Sequence, residues 1–280
     1  MTGDPIERLA EELRQAQLDD AVAPWIPPED LSAREVCLLP LPEGQDILGP
    51  IAQVGGRLVI GGRSGEGKTT FVIAIAKAVA EGTQFLEWTG GGGTVLVIDL
   101  EQGQRTVQRR LREVNLDESD NVRYYRIPDG LALDTSSEQE EWLLGRIEKW
   151  KPKMVMIDPL YKAHTGDSND ERVMVDMMRR LDKLRDTHGF CLVIPMHLRK
   201  LDPRAKDPTM DDIFGSGGLT RGAEVVLGLR MIAPGRSNLY FWKDRDGDLH
   251  EYSKWKLDFS REHGFERAVD DTDADIQVVV

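Results

Sequence analysis

The chain has 280 residues, enough for one large α/β domain with a sizeable buried core. Its formal net charge of −13 argues against a protein that coats nucleic acid through a generally basic surface, but it leaves room for a locally basic channel. Two cysteines, Cys37 and Cys191, are too few for a disulfide framework or a cysteine-based zinc site. Because no signal-peptide pattern and no run of about 18 apolar residues occurs, we expect a cytoplasmic protein with no membrane partner.

The first 50 residues differ from the rest in composition. Asp4 and Pro5 form a helix start, and the apolar spacing after them predicts a short amphipathic helix over 4–18. The residues 24–50 then form an irregular connector, as indicated by Pro24, Pro27, Pro28, Pro40 and Pro42. We expect 1–50 to be an N-terminal helical arm with a proline-rich linker. Such an arm packs on the next subunit in some ring proteins, and a mobile tail is the alternative.

A phosphate-binding motif follows the strand predicted over 57–61. The pattern G-x-x-x-x-G-K-[ST] between a strand and a helix is typical of nucleotide triphosphate binding, because its backbone N–H groups and the helix N-terminus converge on one point. Lys68 adds a cation for the β- and γ-phosphates, and the Thr69 hydroxyl is a ligand for Mg²⁺. The predicted ATP-binding residues are Gly62, Arg63, Ser64, Gly65, Glu66, Gly67, Lys68, Thr69 and Thr70.

Strands and helices alternate after this motif, which predicts a mostly parallel sheet with helices on both faces. Helices are predicted at 68–82, 104–115, 138–150 and 170–187. Apolar strands are predicted at 94–100, 154–157 and 190–196, and a further strand at 122–127. After residue 220 the pattern changes to antiparallel strands at 224–231, 238–243 and 250–259, with Asp246 and Gly247 at a hairpin turn. We expect an α/β domain over 51–260 and an acidic, disordered tail over 261–280.

Two of these strands end in a carboxylate, at Asp99 and Asp158. Hydrolysis of Mg²⁺–ATP needs one carboxylate near the metal and a second that aligns and deprotonates the attacking water. Glu101 lies just beyond the first strand, so we assign Glu101 to the water, Asp158 with Thr69 to Mg²⁺, and a structural role to Asp99. A solvated surface glutamate is the alternative for Glu101.

Three further residues are candidates for contact with the γ-phosphate. His197 ends a third strand at the same sheet edge, where a polar side chain senses loss of the phosphate, although a lone histidine is more often a satisfied polar residue. Lys243 and Arg245 are two apart, so on an extended segment they point the same way. They would act as cationic fingers in a neighbouring subunit's site, or belong to a solvated hairpin tip.

The chain resembles the RepA-like branch of the RecA/DnaB ATPases over roughly 45–260. The matching features are Gly62–Thr70, Phe85-Leu86-Glu87-Trp88, Val95–Glu101, Arg109-Arg110-Leu111, Met154–Leu160, Gly166-Asp167-Ser168-Asn169 and the strand ending at His197. The resemblance implies a RecA-like P-loop core, ATP hydrolysis between subunits of a ring, and single-stranded DNA in the central channel. It places the catalytic glutamate at Glu101, the Walker B aspartate at Asp158 and the γ-phosphate sensor at His197. Lys243 and Arg245 match the Lys-x-Arg of DnaB-type helicases.

The loop after His197 does not match that family residue by residue, but it is locally basic. Its cations, with one in the loop after Asp158, are the predicted DNA contacts: Lys162, Arg199, Lys200, Arg204 and Lys206. They favour contact with the phosphate backbone, with little dependence on base sequence. A solvated loop of mixed charge is the alternative.

The interpretation we favour is an ATP-hydrolysing homo-oligomer, a hexameric ring that moves along single-stranded DNA as a plasmid- or phage-type replicative helicase. A RecA-like recombinase would use the same core in a filament. A KaiC-like regulator would use it without nucleic acid. Rings or filaments in electron micrographs separate the first two interpretations, and stimulation of ATP hydrolysis by single-stranded DNA separates both from the third.

Overall fold

The computed structural model describes residues 32–34, 46–166, 171–199, 207–214, 217–247, 249 and 253–269. The described residues from 46 onward belong to one compact unit, 42–280. The helix predicted at 4–18 and nearly all of the linker lie outside the described residues. No helix in the described part of the chain is both long enough and apolar enough to cross a membrane.

The strands and helices follow one another largely as the sequence predicted. The strands are β1 (Asp46–Leu48), β2 (Ala52–Gln53), β3 (Arg57–Gly62), β4 (Gln84–Phe85), β5 (Trp88–Thr89), β6 (Val95–Asp99), β7 (Val122–Arg126), β8 (Met154–Asp158), β9 (Cys191–His197), β10 (Val225–Ala233), β11 (Arg236–Asp244), β12 (Lys254–Ser260) and β13 (Gly264–Arg267). The α-helices are α1 (Lys68–Glu81), α2 (Gln104–Glu113), α3 (Ser137–Trp150), α4 (Glu171–His188) and α5 (Gly217–Arg221). Short 3₁₀ helices cover Leu160–Lys162 and Met210–Asp212.

A nine-stranded sheet runs through the centre in the order β13-β12-β11-β10-β3-β9-β8-β6-β7. The strands from β10 to β7 in this order are parallel, and β11, β12 and β13 add antiparallel strands on the other side of β10. The predicted α/β class, with antiparallel strands toward the C-terminus, is confirmed. Strand β9 lies between β3 and β8, so the ends of these three strands are neighbours.

Helices cover both faces of the sheet, which explains why its central strands are apolar throughout. On one face, Phe71 and Ile75 of α1 pack in a core cluster with Phe85 and Phe265. On the other face, α3 and α4 contribute Leu143, Ile147, Met177 and Leu181 to a second cluster. Trp142 and Trp150 of α3 are partly buried beside Leu143 and Ile147.

Two boundaries differ from the prediction. Strand β13 lies inside the stretch 261–280 that we expected to be a disordered tail, because Phe265 packs on Phe71 and Phe259 and so belongs to the core. The tight turn joins β10 to β11 at Pro234 and Gly235, where Gly235 has a φ of 74°. Asp246 and Gly247 lie in the connection of the antiparallel pair β11–β12, as predicted, but this connection covers 245–253 and is longer than a tight turn.

The side chain of Trp242 on β11 lies across two glycines, one on the neighbouring strand β10 and one on β3, the next strand in the sheet. A Cβ at Gly228 of β10 would be 2.2 Å from the Trp242 ring, and a Cβ at Gly61 of β3 would be 2.8 Å from it. A Cβ at Gly61 would also crowd Leu198 and Ile213, at 3.1 and 3.2 Å. The indole therefore fills the space that side chains at 61 and 228 would need, directly behind the loop that starts at Gly62.

Candidate nucleotide-binding and hydrolysis site

The predicted phosphate loop joins β3 to α1. Gly65 and Gly67 have φ values of 83° and 84°, in the left-handed region that favours glycine. A Cβ at either position would meet nothing within 4 Å, so backbone conformation and not space requires glycine there. The backbone N–H of Phe71 donates to the Gly67 carbonyl at 2.9 Å, which starts α1 at the loop. The helix N-terminus therefore faces the loop, as anion binding requires.

Lys68 lies at the bottom of this loop with 6% of its surface exposed. Its ammonium group is 3.5 Å from the Gly62 carbonyl oxygen and 3.4 Å from Nδ1 of His197. Burial lowers the pKa of Lys68, although the nearby carboxylates of Asp158 and Glu101 act in the opposite direction. Both contacts are long for hydrogen bonds, so an incoming phosphate oxygen would be a better partner for the ammonium group.

Asp158 and Thr69 lie together beside Lys68. The Thr69 hydroxyl donates to Oδ2 of Asp158 at 3.2 Å. Burial raises the pKa of Asp158 to about 6. Lys68 and the Thr69 hydroxyl act to lower this pKa, Asp99 and Glu101 act to raise it, and burial is the largest of these effects. A carboxylate that is short of positive charge beside a hydroxyl oxygen fits Mg²⁺, which takes few protein ligands and completes its shell with water and phosphate oxygens. No group of three or more His, Cys, Asp or Glu side chains that could hold a metal ion occurs among the described residues.

Asp99 makes its hydrogen bonds at the end of β6, as we expected of a structural residue. It is 1% exposed, and its Oδ1 accepts from the backbone N–H groups of Glu101 and Gln102 at 2.9 and 2.8 Å. Its Oδ2 accepts from the Tyr124 hydroxyl at 2.6 Å. Glu101 itself is exposed and lies on the wall of the nucleotide cleft.

His197 ends β9 directly opposite Gly62 in the register of the sheet. Burial and the charge of Lys68 lower the pKa of His197, so its ring is neutral at pH 7 and Nδ1 is able to accept from the ammonium group. The position of β9 between β3 and β8 brings His197, Lys68 and Asp158 together.

These residues surround a cleft of about 440 Å³. It is lined by Arg63, Ser64, Gly65, Gly67, Lys68, Thr69, Thr70, Glu101, Gln102, Arg109, Arg110, Glu113, Asp158 and His197. Arg109 and Arg110 had no role in our sequence-based assignment. Arg110 donates to the side chain of Gln102, and its charge contributes to lowering the pKa of Lys68. The sequence feature that could have predicted them at the cleft is their position on α2, the helix directly after the turn that carries Glu101.

A family model described as AAA domain matches residues 16–203, which is more than half of the chain. The chain belongs to this AAA domain family. The family consists of P-loop ATPases and includes DnaB/RecA-like helicases, so membership supports ATP hydrolysis in general and nucleotide binding, typically with Mg²⁺. The more specific RepA-like assignment stays a prediction. No curated protein matches the sequence.

Lys243 and Arg245 lie beyond the part of this AAA domain that the family model matches. Lys243 lies near the end of β11, level with Val59 of β3, and Arg245 follows β11 directly. The phosphate loop follows the other end of β3, about 13 Å further along the strand from the level of Lys243. The Lys243 ammonium donates to the carbonyls of Thr220, Arg221 and Ala223 at 3.0, 2.8 and 2.6 Å. Arg245 pairs with Glu224 at 3.2 Å. The structure therefore does not bring these two cations into the cleft of their own chain.

The predicted DNA-contact residues are only partly described. Lys162 lies in the 3₁₀ helix after Asp158, and Arg199 follows His197 and Leu198. Lys200, Arg204 and Lys206 lie outside the described residues. Both ends of the loop that contains them are held together next to His197. Leu198 bridges Ile213, the Arg199 N–H donates to the Asp212 carbonyl at 2.7 Å, and the Phe214 N–H donates to the His197 carbonyl at 2.7 Å.

Proposed function

We propose that this AAA domain works as a ring of identical subunits that hydrolyses ATP and moves along single-stranded DNA, as a replicative helicase of the plasmid or phage type. One observation carries the proposal. His197 contacts Lys68 at the phosphate site, and the basic loop begins directly after it. One residue would therefore couple the loss of the phosphate to movement of the loop.

The proposed hydrolysis uses the residues of the cleft. The loop N–H groups and Lys68 bind the β- and γ-phosphates, and Glu101 aligns a water molecule and takes its proton as the water attacks the γ-phosphorus. Thr69 and Asp158 would hold Mg²⁺, which supplies positive charge for the phosphate oxygens when bound. The leaving group is ADP, and neutral His197 loses its phosphate partner when the γ-phosphate departs.

The loop after His197 is suited to follow that change. The Leu198 N–H donates to the Gly62 carbonyl at 3.3 Å, so the loop base is joined to the strand that leads into the phosphate loop. Leu198 and Ile213 pack against the backbone at Gly61. A shift of His197 would therefore reach the loop through its fixed base, while the basic residues at 199–206 contact DNA.

Lys162 supports the proposed DNA site from the neighbouring loop. It lines a second cleft of about 450 Å³ together with Tyr161, His164 and Thr165. Tyr161 is 41% exposed, so its ring is available for stacking on a base, and Lys162 is available for the phosphate backbone. Because the 3₁₀ helix Leu160–Lys162 packs against β9, this cleft and the loop after His197 lie on the same edge of the sheet.

Lys243 and Arg245 complete the proposed site from the neighbouring subunit. Their position at the sheet edge opposite their own phosphate loop suits a head-to-tail ring, in which one edge of each subunit faces the other edge of the next. We expect Arg245 to contact the γ-phosphate of the adjacent cleft in the transition state.

The test is ATP turnover with and without single-stranded DNA, with oligomer mass measured in Mg²⁺–ATP. We expect a closed ring, and we expect single-stranded DNA to increase the rate of ATP hydrolysis. A filament would favour the recombinase, and turnover that DNA does not change would favour a regulator without nucleic acid.

A variant of the basic loop makes this test specific. Replacing Arg199, Lys200, Arg204 and Lys206 with Ala should preserve basal turnover, abolish its stimulation by DNA and flatten the salt dependence of DNA binding. The matched control removes the same charge from exposed positions elsewhere, Arg112, Lys153, Arg179 and Lys183. Equal DNA affinity and salt slope in the two variants would refute the assignment of the loop.

A further inference from the structure

Asp99 is a buried carboxylate that holds the turn leading to Glu101 with one oxygen and contacts a neighbouring strand with the other. Its Oδ1 accepts from the N–H groups of Glu101 and Gln102, and its Oδ2 accepts from Tyr124. Bonds from neutral donors to a charged acceptor are stronger than those between neutral groups. Since Glu101 is exposed, the position of its side chain depends on this turn of the backbone rather than on packing.

The Tyr124 hydroxyl is the member of this network that comes from another strand. Tyr124 lies on β7 and is paired in register with Val97 of β6, so its side chain reaches along the sheet to the end of β6. Burial and Asp99 raise the pKa of Tyr124, so the hydroxyl keeps its proton and remains a donor. Without this donor, Oδ2 of a 1% exposed carboxylate loses its partner, and the carboxylate must turn or recruit water.

We propose that Tyr124 is a positioning residue for hydrolysis, which acts through Asp99 to fix the turn that carries Glu101. The proposal rests on the assignment of Glu101 as the residue that activates water. Tyr124 touches neither nucleotide nor water in this scheme. Its hydroxyl determines which way Asp99 faces, and Asp99 determines where the backbone of Glu101 and Gln102 lies.

A matched pair of variants tests the proposal, Tyr124→Phe and Tyr125→Phe. Tyr125 is the next residue on β7, and its hydroxyl accepts from Nε1 of Trp150 at 3.0 Å in the core on the other face. Each variant removes one hydroxyl that has a hydrogen-bond partner, so both report the cost to folding. We expect Tyr124→Phe to lower kcat about tenfold and to change KM for ATP less than about twofold. The variant loses a hydrogen bond to the charged Asp99, and the resulting misplacement of Glu101 affects the transition state but not the binding of ATP. Tyr125→Phe should keep the parent kcat.

A second measurement separates positioning from a general structural effect. Glu101→Asp withdraws the carboxylate by one methylene and should retain measurable turnover. If Tyr124 acts through Glu101, adding Tyr124→Phe to Glu101→Asp should lower kcat by no more than about threefold, since residues that act as a unit are not additive. A full tenfold further loss would overturn the proposal, as would equal kcat values for Tyr124→Phe and Tyr125→Phe.

Failure of the underlying assignment would look different. If Glu101→Gln hydrolyses ATP at the parent rate, Glu101 does not activate the water, and the role of Tyr124 falls with it. If Glu101→Gln is inactive but Tyr124→Phe behaves like its control, the base stands and only the positioning role is wrong.

Discussion

The ionised carboxylate of Asp158, which the proposed Mg²⁺ site needs, should lower the stability of the folded protein. Burial raises its pKa from 3.8 to about 6, so the folded protein holds the ionised form less favourably than the unfolded chain does. Ionised Asp158 therefore lowers the free energy of unfolding. The effect is full at any pH above about 6, and it is lost as the pH falls through 6 toward 4. From the two pKa values, the ionised carboxylate lowers the free energy of unfolding by at most about 3 kcal/mol at pH 7.5 and by about 1.5 kcal/mol at pH 5.

Asp158→Asn removes the charge but keeps an oxygen for the Thr69 hydroxyl. In buffer without nucleotide or divalent metal, the variant should be more stable than the parent by up to about 3 kcal/mol at pH 7.5, and by about half as much at pH 5. It should also lose most of its stabilisation by Mg²⁺–ATP. Urea unfolding at the two pH values measures both effects, with Asp120→Asn as the control at an exposed carboxylate. An Asp158→Asn protein that is less stable than the parent at pH 7.5, or a difference that does not change with pH, would refute the argument.

Three further predictions concern the cleft and the core. Glu101→Gln should still bind a fluorescent ATP analogue but hydrolyse ATP slower by about two to four powers of ten, and a smaller loss would move the base to another residue. Lys68→Ala subunits and Arg245→Ala subunits should each be inactive, whereas mixed rings, verified by mass, should regain turnover at interfaces that combine an intact pocket with an intact finger. No recovery at any ratio would exclude a role for Arg245 between subunits. Phe71→Ala, at a fully buried ring in edge contact with Phe85 and Phe265, should lower the free energy of unfolding by about 3–5 kcal/mol in urea, and a loss below about 1 kcal/mol would contradict the packing described here.

Features coded by neighbouring residues were predictable from the sequence. The phosphate loop, the apolar strands and the helix faces all depend on short periodic patterns, so their bounds agree to within one or two residues for α1, α3 and β8. The strand ends at Asp158 and His197 were predictable for the same reason, and both residues line the cleft at that edge of the sheet.

Features that depend on distant contacts were not predictable from local pattern. The position of β9 between β3 and β8 brings His197 to Lys68, and no local pattern specifies strand order. The same holds for Lys243, whose three carbonyl partners lie on a segment about twenty residues earlier. Strand β13 was missed because the acidic composition around it outweighed one aromatic side chain, Phe265, that packs on a helix far away in the sequence.

The packing of the Trp242 indole explains why residue 61 is a glycine, independently of phosphate binding. Gly61 and Gly228 are glycines because the ring occupies the volume of their missing side chains, so the three positions form one steric unit across β3, β10 and β11. Replacing one of these three residues alone should disturb the packing, whereas compensating replacements made together should be tolerated. Related chains with alanine at 61 or 228 should carry a smaller residue at 242, and a phosphate loop transplanted onto another sheet should bring all three positions with it.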